Sequence, residues 1–144
     1  MSQKEKRAAR SGYRTFVQLA TRWHDNDIYG HVNNVVYYAW FDTAVNQLLI
    51  EAGLLDPASS KIIGLVVETS CTYWASLAFP QKLSVGLRAD HIGTSSVRYA
   101  LAIFAEGEEK AAAQGLFTHV YVTRETGKAV PIPDDVRRYL QGMR

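Results

Sequence analysis

The chain has 144 residues, 47% of them hydrophobic and 21% charged. That is the size and balance of one globular domain, with enough apolar material for a core that needs no disulfide or zinc staple. Lys and Arg exceed Asp and Glu by 16 to 14, for a formal net charge of +2, too small to indicate nucleic acid. The single cysteine, Cys71, excludes an internal disulfide and a Cys-rich metal site. No apolar run approaches the roughly 20 residues of a membrane span, and the charged start lacks the apolar stretch of a secretory leader. A cytoplasmic protein is the expectation.

Residues 1–12 carry Lys4, Lys6, Arg7 and Arg10 against one Glu, and read as a flexible basic tail before a single domain over 13–144. From Thr15 to Trp23, Val17, Leu19 and Trp23 share one side of a strand. The segment HDNDIYGHVNN, 24–34, is dense in the residues that form turns. Beyond Asn34 the period changes: Tyr37, Phe41, Ala44, Leu48 and Ala52 recur at three and four, and Trp40, Val45 and Leu49 widen the stripe. This predicts a buried helix of about 19 residues, near 28 Å long, capped by Asn33 or Asn34 and ending at Gly53.

After Asp56-Pro57 the pattern is of strands. Residues 61–75 are β-branched and aromatic, and Leu83, Val85, Leu87 and Ala89 alternate with polar residues. Val97, Tyr99, Leu101 and Ile103 repeat that alternation, EGEEK (106–110) is a turn, and Leu116, Val120 and Val122 alternate against Phe117, His119 and Tyr121. A short helix starts near Asp134. One strand, one long helix and four strands predict an α+β fold, with a curved five-stranded antiparallel sheet wrapped around the helix. Such a sheet leaves long edges, which a homodimer would cover.

The chemistry concentrates where the first turn region meets the helix. A helix N-terminus offers unpaired N–H groups and the positive end of a macrodipole, and Asp25, Asp27, His24 and His31 stand beside it. A carboxylate, an oxyanion site and a closed surrounding suffice for acyl transfer from a thioester, because a thiol leaves readily. Asp27 reads equally as a turn-capping residue, and Asp25 as structural. His31 either assists proton transfer or locks the loop. Tyr37 and Trp40 fit the core stripe, or one wall of an acyl pocket. Glu68 marks an interface, a site wall or an outward strand position. Arg88, Arg98 and Lys82 are candidate cations for the phosphates of a ligand, or simply a solvated strand face. His91 and His119 read as ordinary strand residues. The histidines lack zinc spacing, and no Gly-rich phosphate loop or nucleophile elbow occurs.

The run DNDIYGHVNNVVYYAWFD, 25–42, resembles the Asp-x-Asp-x-x-Gly-His-Val-Asn-Asn signature of hotdog-fold acyl-CoA thioesterases, most closely the 4-hydroxybenzoyl-CoA thioesterases. The element order fits that fold over about 14–130. The resemblance implies hydrolysis of a CoA thioester to free acid and CoA, without metal or cofactor. It makes Asp27 the catalytic carboxylate, as nucleophile or general base, and places a backbone oxyanion donor near Asn34. It also implies dimers, or dimers of dimers, with active sites at the dimer interface. Two other readings stand beside it: a hydratase or dehydratase using Asp27 with His31, and an acyl-thioester-binding module without turnover.

Overall fold

The computed structural model describes residues 5–144. Its elements are β1 (Thr15–Ala20), α1 (Val36–Glu51), β2 (Ile62–Tyr73), β3 (Lys82–Ile92), β4 (Ser96–Ala105), β5 (Ala113–Thr123) and α2 (Asp134–Gln141). The five strands form one antiparallel sheet in the order β1-β3-β4-β5-β2. The expected hotdog architecture is therefore present, and each strand lies where alternation placed it. Trp23 is an exception. β1 stops at Ala20, and Trp23 sits in a 3₁₀ turn, 81% exposed, with its ring edge-on to Phe79.

Helix α1 buries Tyr37, Trp40, Phe41, Ala44, Val45, Leu48 and Leu49 against the concave face of the sheet. It has 16 residues rather than 19, so it is about 24 Å long. Both ends have a local cause. At the start, the Asn33 side chain accepts the Val35 N–H at 3.2 Å and holds residues 33–35 as a turn. At the end, Gly53 takes a left-handed φ of +73°. There Gly53 N–H bonds Ile50 O and Leu54 N–H bonds Leu49 O, the paired closure of a Schellman motif. Ala52, expected in the buried stripe, is exposed at that end.

Close approach of helix and sheet depends on Gly115. A Cβ there would stand 2.9 Å from the Phe41 ring and 1.8 Å from Ser70 O on the neighbouring strand. Phe41 itself is fully buried. Farther along the same face, His119 packs 5.0 Å from Phe117 and 6.1 Å from Tyr99, ring centre to ring centre. Its Nδ1 faces Gly64 and has no hydrogen-bond partner. Burial pushes this imidazole down to about 4, since a cation there would be stripped of water.

The outer face of the sheet is partly covered from the N-terminal side. The flexible tail expected over 1–12 is, in its described part 5–12, an ordered arm. Arg7 Nε donates to Ala111 O, Ala9 bridges to Lys110, and Arg10 N–H bonds Glu109 O. The Arg10 guanidinium lies 4.9 Å over the Phe104 ring, and Tyr13 packs on Gly86 and Phe104. Residues 1–4 of the tail lie outside the described residues. The basic composition that suggested a solvated tail serves backbone carbonyls and aromatic faces instead.

The β2 edge has no strand beside it among the described residues. It exposes Leu65, Val66 and Val67 around a bulge, with Val67 at 60%. No helix of the described residues is long and apolar enough to cross a membrane.

Two outcomes follow. Gly115→Ala should lower the melting temperature by roughly 10 °C, from a loss of about 3 kcal/mol, in a thermal melt followed by circular dichroism. The unfolded chain binds a proton at His119 near pH 6.5, whereas the folded chain resists until about pH 4. Stability should therefore fall as pH drops from 6.5 to 4, by about 3 kcal/mol from this group. Urea unfolding of His119→Phe against the parent should show a flatter dependence across that window.

Candidate active site

The loop 21–35 carries the wild chemistry of the sequence on a frame of backbone bonds. Asp25 is buried, and its Oδ2 accepts the Arg22 N–H at 2.7 Å while Oδ1 takes the Arg22 guanidinium at 2.8 and 3.0 Å. Its carbonyl accepts the Asn33 N–H. Asp25 thus ties both ends of the loop together, the structural role expected of it. From the other side, Val32 N–H bonds Leu77 O, and Phe79 N–H bonds the Asn26 side chain.

Within this frame, residues 27–31 form a tight turn. Gly30 N–H bonds Asp27 O, which needs the positive φ of +80° at Gly30. Asp27 N–H bonds His31 O at 2.8 Å. The Asp27 carboxylate is half-buried and uses only Oδ1 on the loop, accepting Tyr29 N–H at 2.8 Å and His31 N–H at 3.4 Å. Its Oδ2 has no hydrogen-bond partner among the described residues. The main chain of His31 locks the turn, while its imidazole is exposed and makes no hydrogen bond among the described residues.

A cleft of about 250 Å³ opens beside this turn, lined by His31, Val32, Asn34, Tyr37 and, from the end of β2, Tyr73 to Ser76. Asn34 precedes the first helical turn, and its N–H forms no hydrogen bond among the described residues. No acidic side chain occupies the first turn of α1, so its positive end faces the cleft uncompensated. The Asn34 carbonyl accepts the Tyr73 hydroxyl at 2.8 Å. The Tyr73 ring stands edge-on to Tyr37 at 4.9 Å, and Tyr37 is edge-on to Trp40 at 5.0 Å.

Burial pushes the Tyr37 hydroxyl up to about 12 and the Cys71 thiol up to about 11, and raises that of Tyr73. All three groups remain neutral near pH 7, so Cys71 is not a thiolate nucleophile. Among the described residues, no three His, Cys, Asp or Glu side chains converge as a metal-binding group.

The structure therefore brings His31, Asn34 and Tyr37 to one cleft, whereas Asp27 does not line it and is linked to it only through the bonds of its turn to His31. Trp40 lies one layer behind Tyr37, in the core. Glu68, Arg88 and Arg98 are not brought there within one chain. Glu68 pairs with Thr118, beside the buried Phe117 and His119, so alternation puts it on the outer face. Arg88 lies 5.7 Å over Tyr13 on that same face, and Arg98 is bonded to Asp90 at 2.8 Å. Tyr73 is the cleft residue that sequence reasoning missed. Its face is set by the bulge between Val66 and Glu68, and a bulge reverses the alternation beyond it.

The comparisons with known proteins bear on the fold and family. The family model of the thioesterase-like superfamily matches residues 21–140. The PA5185 protein of Pseudomonas aeruginosa strain PAO1 is 52% identical, with a TM-score of 0.94 over 96% of this chain and 97% of its own. BH1999, a gentisyl-coenzyme A thioesterase, is 25% identical, with a TM-score of 0.75 over 85% of this chain and 99% of its own. The uncharacterized protein YsmA of Bacillus subtilis is 23% identical over 91% of this chain and 88% of its own.

The two aspartates should separate cleanly by stability. Asp25→Ala leaves the Arg22 N–H and guanidinium without their carboxylate acceptor, and should cost about 2 kcal/mol. Asp27→Asn keeps an acceptor for Tyr29 N–H and should leave the thermal midpoint within about 0.5 kcal/mol of the parent. Differential scanning calorimetry of both variants checks this. The chain belongs to the thioesterase-like superfamily and is a hotdog-fold thioester hydrolase.

Proposed function

We propose that the protein hydrolyses an acyl-CoA thioester to a free carboxylic acid and CoA, with Asp27 as the catalytic carboxylate. The observation that carries this reading is that the loop leading into α1 leaves one Asp27 oxygen and the Asn34 N–H at the positive end of the helix both unused among the described residues. The thioester carbonyl points its oxygen at the Asn34 N–H, which holds the charge that develops on it. Asp27 then attacks the carbonyl carbon to give a mixed anhydride that water opens, or takes a proton from an attacking water. The C–S bond breaks, and CoA departs as a thiolate, which needs no strong acid. His31, exposed at the mouth, returns protons from solvent.

The named activity of the gentisyl-coenzyme A thioesterase supports a CoA thioester as substrate. The edge-on Tyr37 and Tyr73 rings supply apolar walls that an acyl group can use. The bare β2 edge supports a homodimer formed by strand pairing, since an unpaired edge with exposed Leu65, Val66 and Val67 is otherwise a template for aggregation. In that dimer a second copy would close the cleft, and it could bring cations that one chain does not place there. A lone half-buried Cys71, free of any disulfide, suits a reducing compartment such as the cytoplasm.

The test is thiol release from short, long and aromatic acyl-CoAs by the parent and Asp27→Asn, with a protein-only blank for Cys71. The expected result is turnover on at least one thioester, reduced about 100-fold or more by Asp27→Asn, or roughly 2.7 kcal/mol of transition-state stabilisation. Equal turnover by the two proteins would remove Asp27 from the mechanism. Thioester binding without thiol release from the parent would favour the binding module.

A further inference from the structure

Gln114 lies on the outer side of β5, and its carboxamide makes every hydrogen bond an amide can make. Its oxygen accepts the Ala8 N–H at 2.6 Å and the Trp74 indole N–H at 2.9 Å. Its nitrogen donates to Glu5 Oε1 at 3.0 Å and to Lys6 O at 2.9 Å. The second oxygen of Glu5 accepts the Thr72 hydroxyl at 2.5 Å, on the edge strand β2. A glutamine at a strand surface ordinarily keeps its rotamer freedom, and fixing it costs entropy. Four bonds on one carboxamide identify it as a joint between the arm, β5 and the segment that leaves β2.

That segment reaches the cleft. Trp74, Ala75 and Ser76 line it. The Trp74 and Ala75 N–H groups share the Ala112 carbonyl at 2.8 and 3.0 Å. Two residues further on, Leu77 O accepts the Val32 N–H of the loop that carries Asp27. Residues 5–8 precede the 21–140 stretch covered by the family model.

We propose that the N-terminal arm, acting through Glu5 and Gln114, is a positioning element that fixes Trp74 and the 74–76 wall of the cleft and thereby sets how tightly an acyl thioester is held. This rests on the reading of the cleft as the thioester site. Neither Glu5 nor Gln114 touches the substrate; both act through Trp74. Freeing the arm lets the indole rotate away and the wall loosen, so substrate must re-order it on binding.

The experiment uses the full chain with Trp23→Phe, so that emission comes from buried Trp40 and from Trp74, which is 36% exposed. Gln114→Ala, Glu5→Ala and the conservative Glu5→Gln are compared by tryptophan emission, by acrylamide quenching, and by the Kd for phenacyl-CoA, a thioether that cannot be hydrolysed. Both alanine variants should shift emission to longer wavelength, raise quenching and weaken phenacyl-CoA by about tenfold. Glu5→Gln, which can still bridge Gln114 and Thr72, should match the parent. Unchanged emission and quenching in Gln114→Ala would overturn the proposal. So would a loosened indole with an unchanged Kd, or a parent that does not bind phenacyl-CoA. A parent that binds phenacyl-CoA yet releases no thiol from benzoyl-CoA would overturn the hydrolase reading alone, and the Kd comparison would still decide the role of the arm.

Discussion

One long helix must fill most of the concave face of a five-stranded sheet, with Val136 and Leu140 of α2 completing the same core, and the rest of the molecule follows from that. The contact is made where Phe41 settles on Gly115, with no side chain between ring and strand. A helix seated so closely cannot shift along the sheet without losing its packed row of Tyr37, Trp40, Ala44, Val45 and Leu48. Its N-terminus is thereby held in one place, beside the end of β2. Tyr73 reads that position directly, through its ring on Tyr37 and its hydroxyl on the Asn34 carbonyl. The free N–H of Asn34 is aimed by the core, not by the loop alone.

The loop that carries Asp27 and leads into α1 is short and strongly constrained. Asp25 binds its two ends and Leu77 O braces its middle, while Gly30 closes the turn. Asp27 is left with one oxygen engaged and one free, a carboxylate that is oriented without being consumed. Preorganisation of this kind favours a transition state over a ground state, because the groups need no rearrangement as charge develops. The same packing that fixes the site leaves the β2 edge open, since one helix cannot also cover the flank of the sheet. The fold, the site and the open edge are consequences of the same arrangement.

Much of this could be read from the residues. The stripe from Tyr37 to Leu49 and the alternation in β3, β4 and β5 depend only on local period, and the fold carried them out. The Asp27–His31–Asn34 turn was legible because Asp, Gly and Asn act on their own backbone within a few residues. What escaped depends on contacts distant in sequence. Trp23 looked like a strand residue because its apolar side matched Val17 and Leu19, yet Thr21 N–H bonds Gln81 O and the chain turns away. Arg7 and Arg10 looked like solvated charges, and their partners are carbonyls about a hundred residues later. Tyr73 was hidden by a single bulge. Glu68, Arg88 and Arg98 have charges suited to a ligand, but the period of two puts them on the outer face, away from the cleft in their own chain.

The account stands on the claim that the start of α1 polarises a thioester carbonyl while Asp27 waits beside it. The most direct measurement is the difference infrared spectrum of benzoyl-CoA, carbon-13 labelled at the carbonyl, bound to Asp27→Asn. Donation from the Asn34 N–H and the helix dipole predicts a carbonyl stretch at lower frequency than that of the same thioester in water. A bound thioester whose carbonyl stretch lies at or above the free value would contradict it, because no oxyanion donor would then be touching the reacting bond.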